Sequence, residues 1–306
     1  GFTGSGEDRI KGTVGVELMA NGPPYFRILT APTDMGQASH TAFCQIAADA
    51  LGVEVDWVTT AQPDTARVPD SGPTVASRSV MIVGRVVREA ALAVRRRLLD
   101  FAAQHGRDPF EPLDGRVEAF LAELGPLRED ATYSCPAGTS WDEERFRGDA
   151  YSSYGYAADV VEVEVDRDTL EVRLTGFWTA HDVGKAVNPA IVEGQIQGGS
   201  LQGLGYGWME EIHHGEQGEV ANTSFGTYLV PTSSDTPDMD VTLVEVPFDY
   251  GPFGAKGVGE ISHDVPAPAL VAAVEDATGL KLDSIPVTPE RLLEACRREG
   301  KEWPWS

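Results

Sequence analysis

Two spacings of apolar residues alternate irregularly along this chain. Strict alternation of apolar and polar residues predicts strands, whereas an apolar residue at every third or fourth position predicts helices. In the first half, the sequence predicts strands over 13–19, 25–30 and 53–59 and helices over about 41–51, 77–105 and 117–124. The first two strands flank a turn that contains Pro23 and Pro24 and should therefore pair as a hairpin.

The second half begins with a strongly β-like pattern. Val161, Val163 and Val165 alternate with acidic residues, which predicts a half-buried strand that pairs with the segment 170–179. Pro189 should open a helix over about 190–211. The remaining prediction comprises strands over 225–228 and 241–246, a helix over 267–277 and a last helix from Pro289. Because no regular strand–helix–strand repeat appears, we predict an α+β fold of mixed sheets with packed helices.

Length and charge narrow the possible classes of function. The 306 residues allow two domains of roughly 150 residues each, which we place at 1–145 and 146–306. There are 24 basic and 48 acidic residues, so the net charge is −24. Such a surface repels polyphosphate and anionic lipid, which excludes nucleic acid as a partner. No apolar stretch is long enough to span a membrane, so we expect no membrane partner.

The number and spacing of the cysteines indicate the redox state of the compartment in which the chain folds. Cys44, Cys135 and Cys296 lie far apart, and no pair with two intervening residues exists. This spacing indicates neither a disulfide framework nor a zinc or iron–sulfur site. We therefore expect a reducing cytoplasm.

The segment Gly251–Glu260, GPFGAKGVGE, has four glycines in ten residues and ends on a carboxylate. Glycine at this density indicates positive φ angles or a close approach of the backbone to another group. A phosphate-binding P-loop is excluded because Lys256 precedes glycine rather than serine or threonine. Two interpretations remain: a functional loop that presents Glu260, or a turn in which Glu260 caps the next helix.

A second segment, Gly194–Gly207, contains six glycines in fourteen residues within a predicted helix. Glycine costs about 1 kcal/mol relative to alanine inside a helix, so another advantage must offset this density. Either a polar ligand approaches the backbone beside Gln195, Gln197 and Gln202, or the helix packs tightly against a neighbour.

Two further segments precede helices. Thr33–Thr41 delivers Gln37 to the front of a helix, where free N–H groups should attract an anion such as phosphate. Ser71–Arg78 places Thr74 and Ser77 at the start of the next helix. Each segment is a weak signal by itself.

In this order, the segments closely resemble the molybdopterin-binding subunit of the molybdenum hydroxylases, the xanthine dehydrogenase and aldehyde oxidase family. The resemblance covers nearly the whole chain and corresponds to the C-terminal part of that large subunit. GAKGVGE is its most specific motif. The motifs that carry it are DMGQ, DT followed by SGPTVASR, YAADVVEVEVD, HDVGKAVNPAIVEGQIQGGSLQGLGYG, NTSFGTYLVPTSSDTPD and GPFGAKGVGE.

The resemblance assigns roles to residues of this chain. It implies that Glu260 is the catalytic base and that Phe2 and Thr3 line the substrate pocket. It implies no protein ligand to the metal, since the pterin dithiolene holds the molybdenum. Ala38 stands where the family usually has glycine, so the turn should differ locally while cofactor binding survives. The residues implied to bind the cofactor are Gly36, Gln37, Thr74, Val75, Ala76, Ser77, Gln195, Gly257, Val258 and Gly259.

The activity implied is hydroxylation of an electron-poor carbon, in an N-heterocycle or an aldehyde, with oxygen derived from water. The cofactor would be molybdenum–molybdopterin, with the cytosine dinucleotide form left open. Electrons would pass to [2Fe–2S] clusters and FAD on partner subunits, because this chain has too few cysteines for those clusters and lacks a dinucleotide fingerprint. The N-terminal half of the molybdopterin subunit would be a further partner, so the chain is either a split subunit or a fragment.

Two alternatives stay open at this point. The chain could be a catalytically silent homologue that acts in assembly, although the intact Glu260, Gln37 and Gln195 argue against this. It could also be an enzyme that acts on sugars or carboxylates through paired Glu210 and Glu211. Adjacent residues on a helix point in different directions, which argues against that pair.

Overall fold

The structure is a computed structural model, and it describes residues 12–20, 23, 25–106, 117–134, 140–142 and 144–301. The predicted substrate-pocket residues Phe2 and Thr3 lie outside this part of the chain.

The first half is built on a four-stranded mixed sheet. Its strands are β1 (Thr13–Leu18), β2 (Phe26–Leu29), β3 (Val58–Thr60) and β4 (Arg128–Thr132), in the order β3-β2-β1-β4. Strand β1 runs antiparallel to β2 and β4, whereas β3 runs parallel to β2. The predicted first hairpin is therefore confirmed.

Two helices cover this sheet, α1 (Ser39–Leu51) and α2 (Gly84–His105). Their apolar faces join the inward side chains of β1 and β2 in one core, because the helical spacing brings those residues to one side. A π-helical segment, Ser79–Val83, precedes α2, so the helix predicted from residue 77 is not regular at its start. The smaller elements α3 (Val117–Leu124), β5 (Ser140–Asp142) and β6 (Arg147–Asp149) follow.

The second half has a three-stranded sheet, formed by β7 (Ala157–Val165), β8 (Val172–Asp182) and β9 (Met239–Val244). Strand β8 pairs antiparallel with β7 and parallel with β9. Four helices accompany this sheet: α4 (Pro189–Trp208), α5 (Ile261–Asp264), α6 (Pro266–Thr278) and α7 (Pro289–Arg298). A second core joins Phe177 of β8 to Leu204, Leu270 and Leu292 of the long helices.

The predicted α+β fold is confirmed, but three further predicted elements differ from the structure. Phe225–Tyr228 forms a turn instead of a strand, because the Ser224 carbonyl accepts hydrogen bonds from the backbone N–H groups of Thr227 and Tyr228. The strand expected over 53–59 begins only at Val58, after a short 3-10 turn. The helix expected to reach residue 211 ends at Trp208.

The boundary between 1–145 and 146–306 stays a prediction. Among the described residues, no helix is long and apolar enough to cross a membrane.

Candidate functional site

A cavity of about 590 Å³ lies where four segments of the two halves meet. The segments are the turn before α1, the loop before the π-helical segment, the chain from the end of β8 into the first turns of α4, and the loop before α5. The cavity collects every described residue that the sequence predicted for cofactor binding or catalysis: Gly36, Gln37, Thr74, Val75, Ala76, Ser77, Gln195, Gly257, Val258, Gly259 and Glu260.

The turn before α1 is organised by Asp34. Its carboxylate accepts hydrogen bonds from the N–H groups of Gly36, His40 and Ala38 at 3.0–3.2 Å. Burial alone would raise the pKa of the Asp34 carboxyl, but these hydrogen bonds outweigh it and the pKa lies below its ordinary value. The expectation that these N–H groups would attract an anion is therefore wrong, because Asp34 already occupies them. An Asp two residues before a glycine in a turn is the sequence signal that could have revealed this.

Gln37 lines the cavity, and its amide is engaged within the turn. Its oxygen accepts the Met35 N–H at 2.6 Å, and its nitrogen donates to the Thr33 carbonyl at 2.8 Å. To contact a cofactor, the Gln37 amide would have to give up one of these two hydrogen bonds. Ala38 adopts φ 57°, a left-handed conformation that glycine adopts without strain. The departure from the family pattern at residue 38 therefore falls on a position whose backbone favours glycine.

The second wall of the cavity is the loop that ends at Arg78. The Arg78 side chain is fully buried and donates to the carbonyls of Ser71 and Pro73, each at 3.0 Å. Ala76 and Ser77 both have positive φ, 51° and 52°. The buried guanidinium thus holds a strained loop at the cavity.

Glu260 lies at the end of the glycine-rich loop and at the wall of the cavity. Its backbone N–H donates to the Ser77 hydroxyl at 2.9 Å. A Cβ on Gly257 would collide with the Ser77 backbone oxygen, so only glycine permits this close approach. Glu260 precedes α5, but its side chain makes no capping hydrogen bond. The capping interpretation is therefore wrong, and the exposed Glu260 carboxylate has no hydrogen-bond partner among the described residues.

Two cations that the sequence reasoning missed also line the cavity. Lys256 donates to Asp182 at 2.6 Å and to the Tyr154 carbonyl at 3.2 Å. Lys185 pairs with Glu245 at 2.9 Å. The sequence did not reveal the Lys256 pair because its two members lie 74 positions apart.

The glycines of α4 differ in what lies opposite them. Gly199, Gly203 and Gly207 face α5 and the start of α6, and a Cβ at Gly203 would lie 2.8 Å from a backbone oxygen of α5. Tight helix packing therefore explains these three glycines. At Gly194 and Gly198 an added Cβ would meet no atom within 4 Å.

Glu210 and Glu211 do not act together. Glu210 accepts a hydrogen bond from the Tyr228 hydroxyl at 2.7 Å, whereas Glu211 pairs with Arg291 at 2.5 Å. The alternative of a paired-carboxylate enzyme is therefore wrong, since each carboxylate has its own partner on a different segment.

Comparison with known proteins identifies the family. A family profile described as "Molybdopterin cofactor-binding domain" matches residues 3–237. The chain belongs to this family. The resemblance to the xanthine dehydrogenase and aldehyde oxidase family seen in the sequence is thereby confirmed.

Named relatives of this molybdopterin-binding domain belong to larger enzymes. The chain is 32% identical to the "6-hydroxypseudooxynicotine dehydrogenase complex subunit gamma" of Paenarthrobacter nicotinovorans, covering 94% of this chain and 38% of the relative. It is 31% identical to the "Nicotine 6-hydroxylase large subunit" of the same organism, covering 88% and 35%. The crystal structure of the aldehyde oxidoreductase from Desulfovibrio desulfuricans ATCC 27774 superimposes with a TM-score of 0.81 at 27% identity, covering 96% of this chain and 31% of that one. The chain thus spans well under half the length of these relatives.

The residues around the cavity fit a molybdopterin cofactor. The cavity volume lies in the range that ligands of this size occupy. Gln195 and Thr74 can donate or accept hydrogen bonds with a polar ring system. At Gly36, φ is +112° and an added Cβ would meet no protein atom within 4 Å, so the backbone there is open to a ligand.

Proposed function

We propose that this chain carries the catalytic base and one part of the cofactor site of a molybdenum hydroxylase. The observation that carries the proposal is Glu260, which lines the cavity with an exposed side chain that has no hydrogen-bond partner among the described residues, while its backbone N–H is bonded to Ser77. A general base needs to be within reach of the proton that it takes, with oxygens free to accept it.

The chemistry divides between cofactor and protein. When bound, the molybdenum cofactor supplies oxygen transfer to carbon and takes up the electrons released. Glu260 would accept, at a carboxylate oxygen, the proton that the hydroxylation releases. The loops at Gly36, Thr74–Ser77 and Gly257–Gly259 would surround the pterin, and Gln195 would bind it through its side chain.

The names of relatives support the substrate class. They refer to nicotine, a nicotine derivative and aldehydes, which favours an electron-poor carbon in an N-heterocycle or an aldehyde. Phe2 and Thr3 stay proposed contacts of the substrate.

The partners proposed are the remaining half of the molybdopterin subunit, an iron–sulfur subunit and an FAD subunit. Two apolar side chains at the cavity rim support the first of these, since Met35 is 75% exposed and Val75 is 53% exposed. Apolar surface of this kind beside a cavity is typical of a contact with another segment. The chain covers 38% and 35% of the two named relatives, which supports the proposal of a further half of the molybdopterin subunit. A cytoplasmic location belongs to this proposal as well, and the mononucleotide and dinucleotide forms of the pterin both stay open.

The test is Glu260→Gln in the assembled complex, which keeps shape and hydrogen bonding but removes basicity. We expect near-normal molybdenum content and reduction by substrate that is slowed roughly 10²–10⁴-fold. Rapid-reaction kinetics and metal analysis measure the two quantities. Gln195→Ala should do the reverse, lowering molybdenum content more than the rate per bound molybdenum.

Two outcomes would contradict the proposal. Reduction of the Glu260→Gln complex at the parental rate would remove the base assignment. A parental complex that contains no molybdenum after expression with a cofactor supply would instead favour the silent assembly homologue.

A further inference from the structure

A buried ion pair lies in the loop that carries Glu260. The Lys256 ammonium donates to Asp182 at 2.6 Å, and each side chain is only 7% exposed. The neighbouring pair of Lys185 and Glu245 is far more exposed, at 52% and 37%. Burying two charges is costly unless their geometry and further hydrogen bonds compensate. The additional bond from Lys256 to the Tyr154 carbonyl supplies part of that compensation.

The pair joins the glycine-rich loop to the end of a strand. Asp182 is the last residue of β8, and Lys256 is in the centre of the loop. Two backbone hydrogen bonds run beside the pair, from Lys256 N–H to the Val183 carbonyl and from Lys185 N–H to the Gly254 carbonyl, each at 3.0 Å. The ion pair thus lies beside a short stretch of backbone pairing between the loop and the segment that follows β8.

On its other side, the glycine-rich loop contacts Ser77, in the strained loop that ends at Arg78. Gly257 is in close contact with the Ser77 backbone, and Glu260 N–H donates to the Ser77 hydroxyl. Between these two attachments the chain reads Lys256-Gly257-Val258-Gly259-Glu260. Two glycines in five residues leave much backbone freedom to be lost on folding, so directional contacts have to hold the segment.

We propose that the Asp182–Lys256 pair positions Glu260. On this view, which rests on the proposed role of Glu260 as base, the pair fixes the loop against β8. The carboxylate then faces the cavity in one place. A charged pair suits this role because charge-assisted hydrogen bonds are stronger and more directional than neutral ones. The competing explanation is that the pair only stabilises the fold.

The decisive variant is the double substitution Asp182→Asn with Lys256→Met, made in the full complex. It removes both charges at nearly constant volume and leaves no unpaired buried charge. The control is Lys281→Met, which removes the exposed Lys281 from its pair with Glu275, away from the cavity. Molybdenum content, Tm, kcat and KM per bound molybdenum, and hydrogen exchange of the 255–260 amides are measured in both variants.

A positioning role predicts that kcat per bound molybdenum falls roughly 10²-fold, because a displacement of about 1 Å has that effect on catalysis. KM should stay unchanged, since the interaction lost matters only in the transition state. Exchange of the 255–260 amides should rise while the amides of α2 keep their protection. The control should match the parent in every measurement. Parental kcat and parental exchange at 255–260 in the double variant would overturn the proposal.

A second variant covers the case in which the double variant does not fold. Lys256→Arg keeps the charge but adds bulk, so it should displace the loop and lower kcat at an unchanged Tm. Parental kcat in Lys256→Arg, with the double variant unfolded, would show a purely structural pair and overturn the proposal. Glu260→Gln, measured in parallel, separates the two hypotheses. If Glu260→Gln keeps the parental rate, the assignment of Glu260 as the base fails. Hydrogen exchange of the 255–260 amides in the double variant still shows whether the Asp182–Lys256 pair holds the loop.

Discussion

Two glycine-rich segments of this chain use glycine for different physical reasons. In α4, Gly199, Gly203 and Gly207 let a helix approach α5 and α6 closely. In the loop before α5, Gly257 lets the backbone touch Ser77 beside the cavity. The first segment therefore builds the core of the second half, and the second segment builds the site. Glycine density alone does not distinguish packing from function, whereas the atom that a Cβ would meet does.

The largest effect is expected where the glycine belongs to the site. Gly257→Ala would push the loop away from the Ser77 backbone, which cannot yield as a flexible side chain would. We expect loss of molybdenum from the complex and a rate per remaining molybdenum roughly 10²-fold lower. Gly226→Ala, where a Cβ would meet only the Ser224 hydroxyl at 3.7 Å, is the matched control. Normal molybdenum content and rate in Gly257→Ala would contradict this account of the loop.

The next effect concerns the packing of α4 against α5. Gly203→Ala should destabilise the fold by about 1–3 kcal/mol, as overpacking does, because its Cβ would lie 2.8 Å from a backbone oxygen of α5. Gly198→Ala on the same helix has open space and should instead stabilise it by at most about 1 kcal/mol. Urea unfolding of both purified variants measures the difference. Equal stabilities would show that the helix contacts do not need glycine.

The stability of the fold should also depend on pH, through a buried histidine at the end of β8. His181, next to Asp182, is fully buried, and burial lowers its pKa from 6.5 to about 4. Between pH 6.5 and 4, His181 is protonated in the unfolded chain but stays neutral in the folded chain. The free energy of unfolding therefore decreases as the pH falls from 6.5 towards 4. The slope from this residue is about 1.4 kcal/mol per pH unit.

His181→Leu tests this slope, since it keeps the bulk but cannot bind a proton. Between pH 6.5 and 4, the stability of the parent should fall more steeply than that of the variant. Denaturant unfolding at several pH values in that window makes the comparison. Parallel curves for parent and variant would rule out His181 as the titrating group.

The smallest effect tests a position where the geometry favours glycine but the chain has alanine. Ala38 has φ 57°, so Ala38→Gly removes left-handed strain worth roughly 1–2 kcal/mol and adds freedom to the unfolded chain. The net gain should be about 0.5–1 kcal/mol, seen as a small rise in Tm. A lower Tm would mean that Ala38 is not strained.

Regular elements and site residues could be predicted because each depends on local pattern or on a specific motif. The period of apolar residues predicted α1, β7, β8 and α6, and it failed at Phe225–Tyr228, where hydrogen bonds to Ser224 override strand propensity. The motifs predicted the residues that line the cavity. They did not predict that Asp34 occupies the N–H groups before α1, because competition among nearby acceptors depends on the turn's geometry.

By itself, the sequence determined the fold class, the family and the segments that form the site, since these follow from periodicity and from motifs of adjacent residues. Only the tertiary structure decided which glycines serve packing and which serve the cavity, because a close approach depends on what lies opposite. It alone joined Lys256 to Asp182, which are 74 positions apart. It alone also placed the Glu260 backbone on Ser77, 183 positions away. The first contact forms when the second half folds on itself and the second when the two halves pack together, and no local pattern encodes either.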